Sequence, residues 1–146
     1  MEYAKGGIGR VFLLKFSNND ILLDELTRIA KKERIKSAVF IFIGALRKGH
    51  LVTGPKKPVF PPQPNWVGFK DGWEALGTGT IFTNKSGPQL HIHGALGKKN
   101  KALTGCVRKG SRVFGVMEAV IFELKGIKAS KETDPETGIN LLRILK

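Results

Sequence analysis

The sequence has only one cysteine, Cys106, and few acidic residues. Its 146 residues include 12 Asp and Glu against 25 Lys and Arg, which gives a net charge of +13. A single cysteine cannot form an internal disulfide, so a disulfide-stapled secreted scaffold is excluded and a reducing cytoplasm is favoured. No apolar run approaches the roughly 20 residues that span a bilayer, and the N-terminus lacks the apolar segment of a secretory signal. These absences predict a cytoplasmic protein that does not enter membranes.

The patterning that is present predicts one domain over residues 1–146, with an α+β fold. Apolar residues at helical spacing predict a helix over residues 20–33, which begins after the polar run Ser17-Asn18-Asn19. Residues 54–71 contain five of the seven prolines and predict a long irregular loop. Alternating or continuous apolar patterns predict strands over 9–16, 37–43, 50–53, 73–82, 89–96, 102–107, 113–124 and 139–145. We therefore expect a largely antiparallel sheet with one main helix packed on it.

The motif His91-Ile92-His93 lies in one of these strands. Residues two apart in a strand share a face and lie about 7 Å apart, so both imidazoles can reach one metal ion or ligand. Cys106 falls where a hairpin return would place it beside them. Two imidazoles and one thiolate form a typical zinc ligand set with an open fourth position. The alternative is a chance His-x-His pair beside a cysteine that is only a small buried apolar residue.

The surroundings of this motif are strongly basic. Between Ala75 and Met117 there are seven Lys and Arg residues and no acid. Zinc with neutral imidazoles and one thiolate would carry a charge of about +1, so we expect an anionic fourth ligand. The predicted residues for binding this anion, or nucleic acid, are Lys98, Lys99, Lys101, Arg108, Lys109 and Arg112. Glu118 is the nearest following acid. It would orient a histidine by accepting a ring N–H or serve as a general base, or else be a solvated strand carboxylate.

Four segments resemble the PPC domain, the plant and prokaryote conserved domain, in the order in which they occur. They are Gly77-Thr78-Gly79-Thr80-Ile81-Phe82, Gly87-Pro88-Gln89-Leu90-His91-Ile92-His93, Leu103-Thr104-Gly105-Cys106 and Glu118-Ala119-Val120-Ile121. The resemblance covers about residues 10–125 and leaves 126–146 as a C-terminal strand or tail. It implies a compact α+β domain that forms a homotrimer, with the histidine cluster at or near the subunit interface.

The chain departs from this family in two respects. The family pattern has Gly-Gly-His where Thr104-Gly105-Cys106 stands here, which leaves open whether the metal site survives with cysteine as a ligand. The Arg-Gly-Arg-Pro AT-hook of the plant nuclear members is also absent, so DNA binding through that minor-groove motif is not expected.

The function that these observations predict is a basic homotrimer that binds DNA or another polyanion mainly through phosphate contacts. Two alternatives stay open. One is a zinc-dependent enzyme or small-anion-binding protein that uses His91, His93 and Cys106 at a subunit interface. The other is a scaffold that binds another protein through the loop at 54–71. The patterns favour a binding protein over an enzyme and identify no catalytic residue.

Overall fold

The fold, taken from a computed structural model that describes residues 1–145, is dominated by β-strands. One helix, α1 (Leu22–Lys32), accompanies nine strands in this range. The strands are β1 (Gly7–Phe16), β2 (Ser37–Pro55), β3 (Pro64–Phe69), β4 (Trp73–Asn84), β5 (Gly87–Lys98), β6 (Lys101–Val107), β7 (Arg112–Lys125), β8 (Ala129–Thr133) and β9 (Asn140–Ile144).

The predicted α+β class is wrong, because the structure is 63% strand and 8% helical. In two places the structure contains strands that the sequence patterns did not predict. The segment predicted as an irregular loop contains β3, which pairs only with β2; this edge position tolerates Pro64, which faces Pro55 across the pair. The region predicted as a single strand or tail forms the β8–β9 hairpin. The helix, in contrast, is only 11 residues long.

The long strand β2 determines how the sheet closes. Its first half pairs with β7 on one side and β4 on the other, and its second half pairs with β3 and β6. The change occurs between Lys48, which pairs with β7, and Gly49, which pairs with β3. It is preceded by a register shift against β7 after Gly44, which has φ of +148° and no space for a side chain against Met117. Because β4, β5 and β6 are also paired in series, β2 closes a circuit of four strands. This closure places Cys106 beside both Val52 and His93.

The inner face of the sheet forms the core. Phe40, Phe42 and Ile92 are buried there, and the helix contributes Leu22 and Leu26, which are fully buried. Two glycines of β4 make room for the phenylalanine rings: a Cβ on Gly77 would overlap Phe42, and one on Gly79 would overlap Phe40. Alternation along β5 therefore turns Ile92 into the core and both neighbouring histidines outward.

The outer face of the same strands exposes large apolar side chains. Leu13, Ile41 and Ile43 are 81%, 51% and 60% exposed. The strand register joins this surface to the histidine motif, because Ile41 faces Thr78 on β4, and Thr78 faces His93 on β5. Within residues 1–145, no helix has the length and apolar character needed to cross a membrane.

Candidate metal centre

The structure brings His91, His93 and Cys106 together on the outer face of β5 and β6. One ligand atom from each residue lies within 4.8 Å of the other two. The Nε2 atoms of the histidines are 3.2 Å apart, and their rings are nearly perpendicular, at 82°. A tetrahedral zinc with Zn–N bonds of about 2.0–2.1 Å requires roughly 3.3 Å between two nitrogens. The donor set and its spacing therefore fit a zinc ion, whose binding stays a prediction.

These three residues line a cavity of about 1030 Å³. One wall is the proline-rich segment between β2 and β3, which includes Pro58, Phe60 and Pro62. The opposite wall comes from the β8–β9 hairpin. The two walls approach each other where a Cβ on Gly138 would lie 3.7 Å from the Pro61 side chain. The three residues thus line a cleft formed by two segments that are distant in sequence.

Two cations line the same cavity, Arg108 and Lys131. The Arg108 guanidinium lies over the Trp66 ring, 5.5 Å from its centroid. Its Nε is buried and has no hydrogen-bond partner among residues 1–145. Lys131 is only 7% exposed. Its burial lowers the pKa of the ammonium group, while the nearby Cys106 thiolate acts in the opposite direction.

The environment of His91 favours the neutral imidazole. Burial is the largest cause that lowers its pKa from the ordinary value of 6.5. The positive charges of Lys131, His93 and Arg108 lower it further, in that order. Because a neutral imidazole keeps a free lone pair for a metal, this environment suits a ligand role.

The six basic residues predicted to bind an anion do not form one patch. Lys98, Lys99 and Lys101 surround the β5–β6 turn, whereas Arg108 and Lys109 follow the opposite end of β6. The seven residue-to-residue steps from Lys101 to Arg108 correspond to about 23 Å of strand. The Lys98 ammonium donates to the Asp71 carbonyl oxygen, and Arg112 donates to the Asn19 carbonyl oxygen. Of the six, only Arg108 lines the cavity within the described residues.

The structure places Glu118 away from the histidines. It lies on β7 and faces Ile43 of β2, which faces Leu76 of β4, which in turn faces Ala95 of β5. Three strand spacings, about 14 Å, separate Glu118 from β5. Among residues 1–145, no hydrogen bond joins Glu118 to either histidine. Within one chain, Glu118 therefore does not orient them.

Lys131 is a cavity residue that the sequence patterns did not identify. It lies in the region predicted as a strand or tail, between Ser130 and Glu132. Its neighbour Glu132 accepts a hydrogen bond from the Ser130 hydroxyl and forms an ion pair with Arg143. Ala129 and Lys131 are both buried, as two alternate residues on the inward side of a strand are. From the sequence alone, a lysine at such a position is interpreted as a surface residue.

The β-rich sheet with a His/Cys cluster on its outer face defines a small domain with a metal-type donor set. The chain belongs to the family of the Plants and Prokaryotes Conserved (PCC) domain, whose family model matches residues 3–125. The resemblance to the PPC domain found in the sequence is thereby confirmed. Lys131 lies beyond the matched residues.

Solved structures with this fold come from archaea and bacteria. A metal-containing protein from Archaeoglobus fulgidus is 22% identical with a TM-score of 0.86, and the match covers 100% of both chains. A plant- and prokaryote-conserved (PPC) protein from Pyrococcus horikoshii is 23% identical with a TM-score of 0.84, covering 100% of this chain and 99% of that one.

A third structure, named "Putative DNA-binding protein", comes from Ralstonia eutropha JMP134. It is 20% identical with a TM-score of 0.74, and the match covers 91% of this chain and 90% of that one. Among curated proteins, none matches this chain. At these identities the likeness establishes the shared fold.

Proposed function

We propose that this protein binds a zinc ion through His91, His93 and Cys106. The observation that carries the proposal is the 3.2 Å separation of the two histidine Nε2 atoms beside a cysteine ligand, with all three ligand atoms within 4.8 Å of one another. Two nitrogens and one thiolate favour zinc over the hard cations magnesium and calcium, which prefer oxygen. The metal-containing relative from Archaeoglobus fulgidus supports a metal role for this fold.

The remaining coordination position would open into the cavity, because all three ligand residues line it. Zinc with an open position supplies a Lewis acid that polarises or binds an oxygen ligand. Around it, Arg108 and Lys131 provide positive charge, and the proline-rich segment provides an apolar wall. We propose a binding function and assign no catalytic residue.

Elemental analysis of protein purified without added metal tests this function. We expect about one equivalent of zinc per chain, and less than about a tenth in His91→Ala, His93→Ala and Cys106→Ala. His50→Ala is the matched control, because His50 is exposed and lies against Trp66. Wild-type protein without a transition metal, even after incubation with zinc, would contradict the proposal. So would an unchanged zinc content in His91→Ala.

We also propose that the chain forms a homotrimer in which the outer face is covered by neighbouring subunits. The exposed Leu13, Ile41 and Ile43 support this assembly, because such a large apolar surface is costly to leave in water. We expect light scattering to give the mass of a trimer for the wild type and of a monomer for Ile43→Asp. Lys57→Asp, in the exposed proline-rich segment, should remain trimeric. A monomeric wild type would contradict the proposal.

DNA binding is a second candidate function, favoured by the net charge of +13 and by the name of the relative from Ralstonia eutropha. Contacts would be made to phosphates, with little sequence preference and a strong dependence on salt. We expect duplex binding at about 50 mM salt that weakens sharply by 200 mM. Replacing Lys98, Lys99 and Lys101 together with alanine should flatten this salt dependence, because this turn concentrates three lysines, of which Lys99 and Lys101 are exposed. No binding at low salt would exclude the candidate.

A further inference from the structure

The cavity above the candidate metal centre contains two cationic side chains without a carboxylate partner. Lys131 is more than nine-tenths buried, and the Arg108 Nε is buried without a hydrogen-bond partner among residues 1–145. Within the same residues, no carboxylate lies within 4.0 Å of either cation. Buried charges are normally paired, because removing them from water is costly. The Cys106 thiolate near Lys131 is the one negative charge beside the two cations, and the cavity has space for a second.

The formal charge of the site is also high. Zinc, Lys131 and Arg108 contribute four positive charges, and the Cys106 thiolate removes one, so the loaded site carries about +3. The acids of the hairpin do not offset it: Glu132 and Asp134 are paired with Arg143. An anion with more than one acceptor oxygen would satisfy the metal and both cations together.

Most of the remaining cavity lining is apolar, with Gln89, Thr133 and Asn140 as polar exceptions. Val59, Phe60 and Pro62 line one side, and Ile139 lines the other. Val59 and Phe60 expose more than half of their surfaces, at 54% and 67%. Apolar walls beside a few converging polar groups are typical of sites for small organic ligands. A bare inorganic ion would leave these walls uncovered.

We infer that the cavity binds a small organic anion, with a carboxylate or phosphate head at Lys131 and Arg108 and an apolar body against the segment from Pro58 to Pro62. The inference rests on the proposed zinc site for a third contact to the head. It assigns Lys131, which lies outside the residues matched by the family model, as the residue that selects for negative charge.

A purely structural role for Lys131 makes different predictions. If its function were only to pair with the Cys106 thiolate, Lys131→Met should lose zinc and unfold more easily. If Lys131 is held for an anion, the same substitution removes an unpaired buried charge. The variant should then keep its zinc and have an equal or higher melting temperature without ligand.

Calorimetric titration of the zinc-loaded full-length protein tests the inference, with phenyl phosphate and benzoate as probes. We expect saturable binding of at least one of them, no binding of neutral benzyl alcohol, and weaker binding of inorganic phosphate. Lys131→Met should weaken binding by about tenfold or more while zinc content stays unchanged. Lys128→Met is the matched control, because Lys128 is an exposed lysine three residues away that does not line this cavity.

The possible outcomes separate this inference from the zinc proposal. Zinc-loaded protein that binds neither probe overturns the inference and leaves the zinc site intact. Equal binding by the wild type and Lys131→Met also overturns it. If zinc does not load, the zinc proposal fails, and the same titration of metal-free protein still decides the inference. Binding lost in Lys131→Met then supports the cation pair, and no binding overturns it.

Discussion

The inner and outer faces of the sheet are made by alternate residues of the same strands, yet they have opposite roles. On β2, Phe40 is fully buried on the inner face, whereas its neighbour Ile41 is 51% exposed on the outer face. On β5, Ile92 joins the core while His91 and His93 face the cavity. The inner face therefore stabilises the fold, and the outer face carries the candidate metal centre and the exposed apolar surface that we propose for self-association. A substitution should affect folding or function according to the face on which it falls.

The largest expected effect comes from Phe40→Ala. Removing a fully buried phenylalanine leaves a cavity, so we expect a loss of about 3–5 kcal/mol in the free energy of unfolding. Ile41→Ala is the matched control, and it should change the stability of the dissociated subunit by less than about 1 kcal/mol. Urea denaturation over a range of protein concentrations separates folding of the subunit from association. Equal losses in both variants would contradict the division between the faces.

The next largest effect is expected at Gly79, which admits the Phe40 ring to the core. A Cβ at Gly79 would overlap this ring and the His91 carbonyl oxygen, so Gly79→Ala should cost about 1–3 kcal/mol through overpacking. Gly97→Ala is the control, because a Cβ there would meet nothing within 4 Å. Thermal unfolding of both variants measures the difference. A tolerated Gly79→Ala would show that the inner face repacks easily.

A smaller effect should appear in the pH dependence of the metal-free protein. The pKa of His91 is lowered from 6.5 in the folded chain. As the pH falls, His91 therefore binds a proton in the unfolded chain before it does so in the folded chain. Stability should therefore decrease as the pH falls below 6.5 and down through the lower folded pKa. His91→Gln should remove part of this slope, whereas His50→Gln should not. Denaturation curves between pH 7.5 and 5, an interval around the ordinary histidine pKa, measure the slope of stability against pH. Identical slopes for all three proteins would contradict the prediction.

The smallest effect is expected from the ion pair between Arg10 and Glu123. The Arg10 Nε and the Glu123 Oε2 are 2.8 Å apart. The side-chain hydrogen bond from Arg10 is the main cause that lowers the pKa of Glu123 from 4.5. Its stabilisation is present above pH 4.5 and is lost as the pH falls through the lower folded value. Glu123→Gln should slightly lower the melting temperature at pH 7 but not at pH 2. A larger loss than in Gly79→Ala would contradict this order.

Local patterns were sufficient for most of the sheet. Alternation placed Ile92 inward and both histidines outward, and the hairpin spacing placed Cys106 opposite His93. The patterns failed at two local hairpin pairings, that of β2 with β3 and that of β8 with β9. Prolines in residues 54–71 concealed β3, because an edge strand tolerates residues that a central strand does not. The clear helical pattern led to the incorrect α+β class, because the helix it predicted is only 11 residues long and most of the chain is strand.

The positions of the basic residues around the cavity also could not be predicted from the sequence. A count of charges indicated one basic region, but β6 separates its two ends by about 23 Å. Only Arg108 of the predicted set reaches the cavity, and Lys131 reaches it from the β8–β9 hairpin. Sequence spacing gave no means of pairing these two residues, because they come together only through the closure of the sheet and the β8–β9 hairpin.

The sequence by itself determined the family, the His-x-His pair and the strongly positive charge, because short-range alternation and motif order are properties of local sequence. The tertiary structure decided that the domain is mostly β, that His91, His93 and Cys106 line one cavity, and that Glu118 is remote from the histidines. It also decided that Lys131 is buried beside Cys106. These features depend on long-range strand pairing, in which β2 joins β4, β6 and β7 and brings together residues that are far apart along the chain.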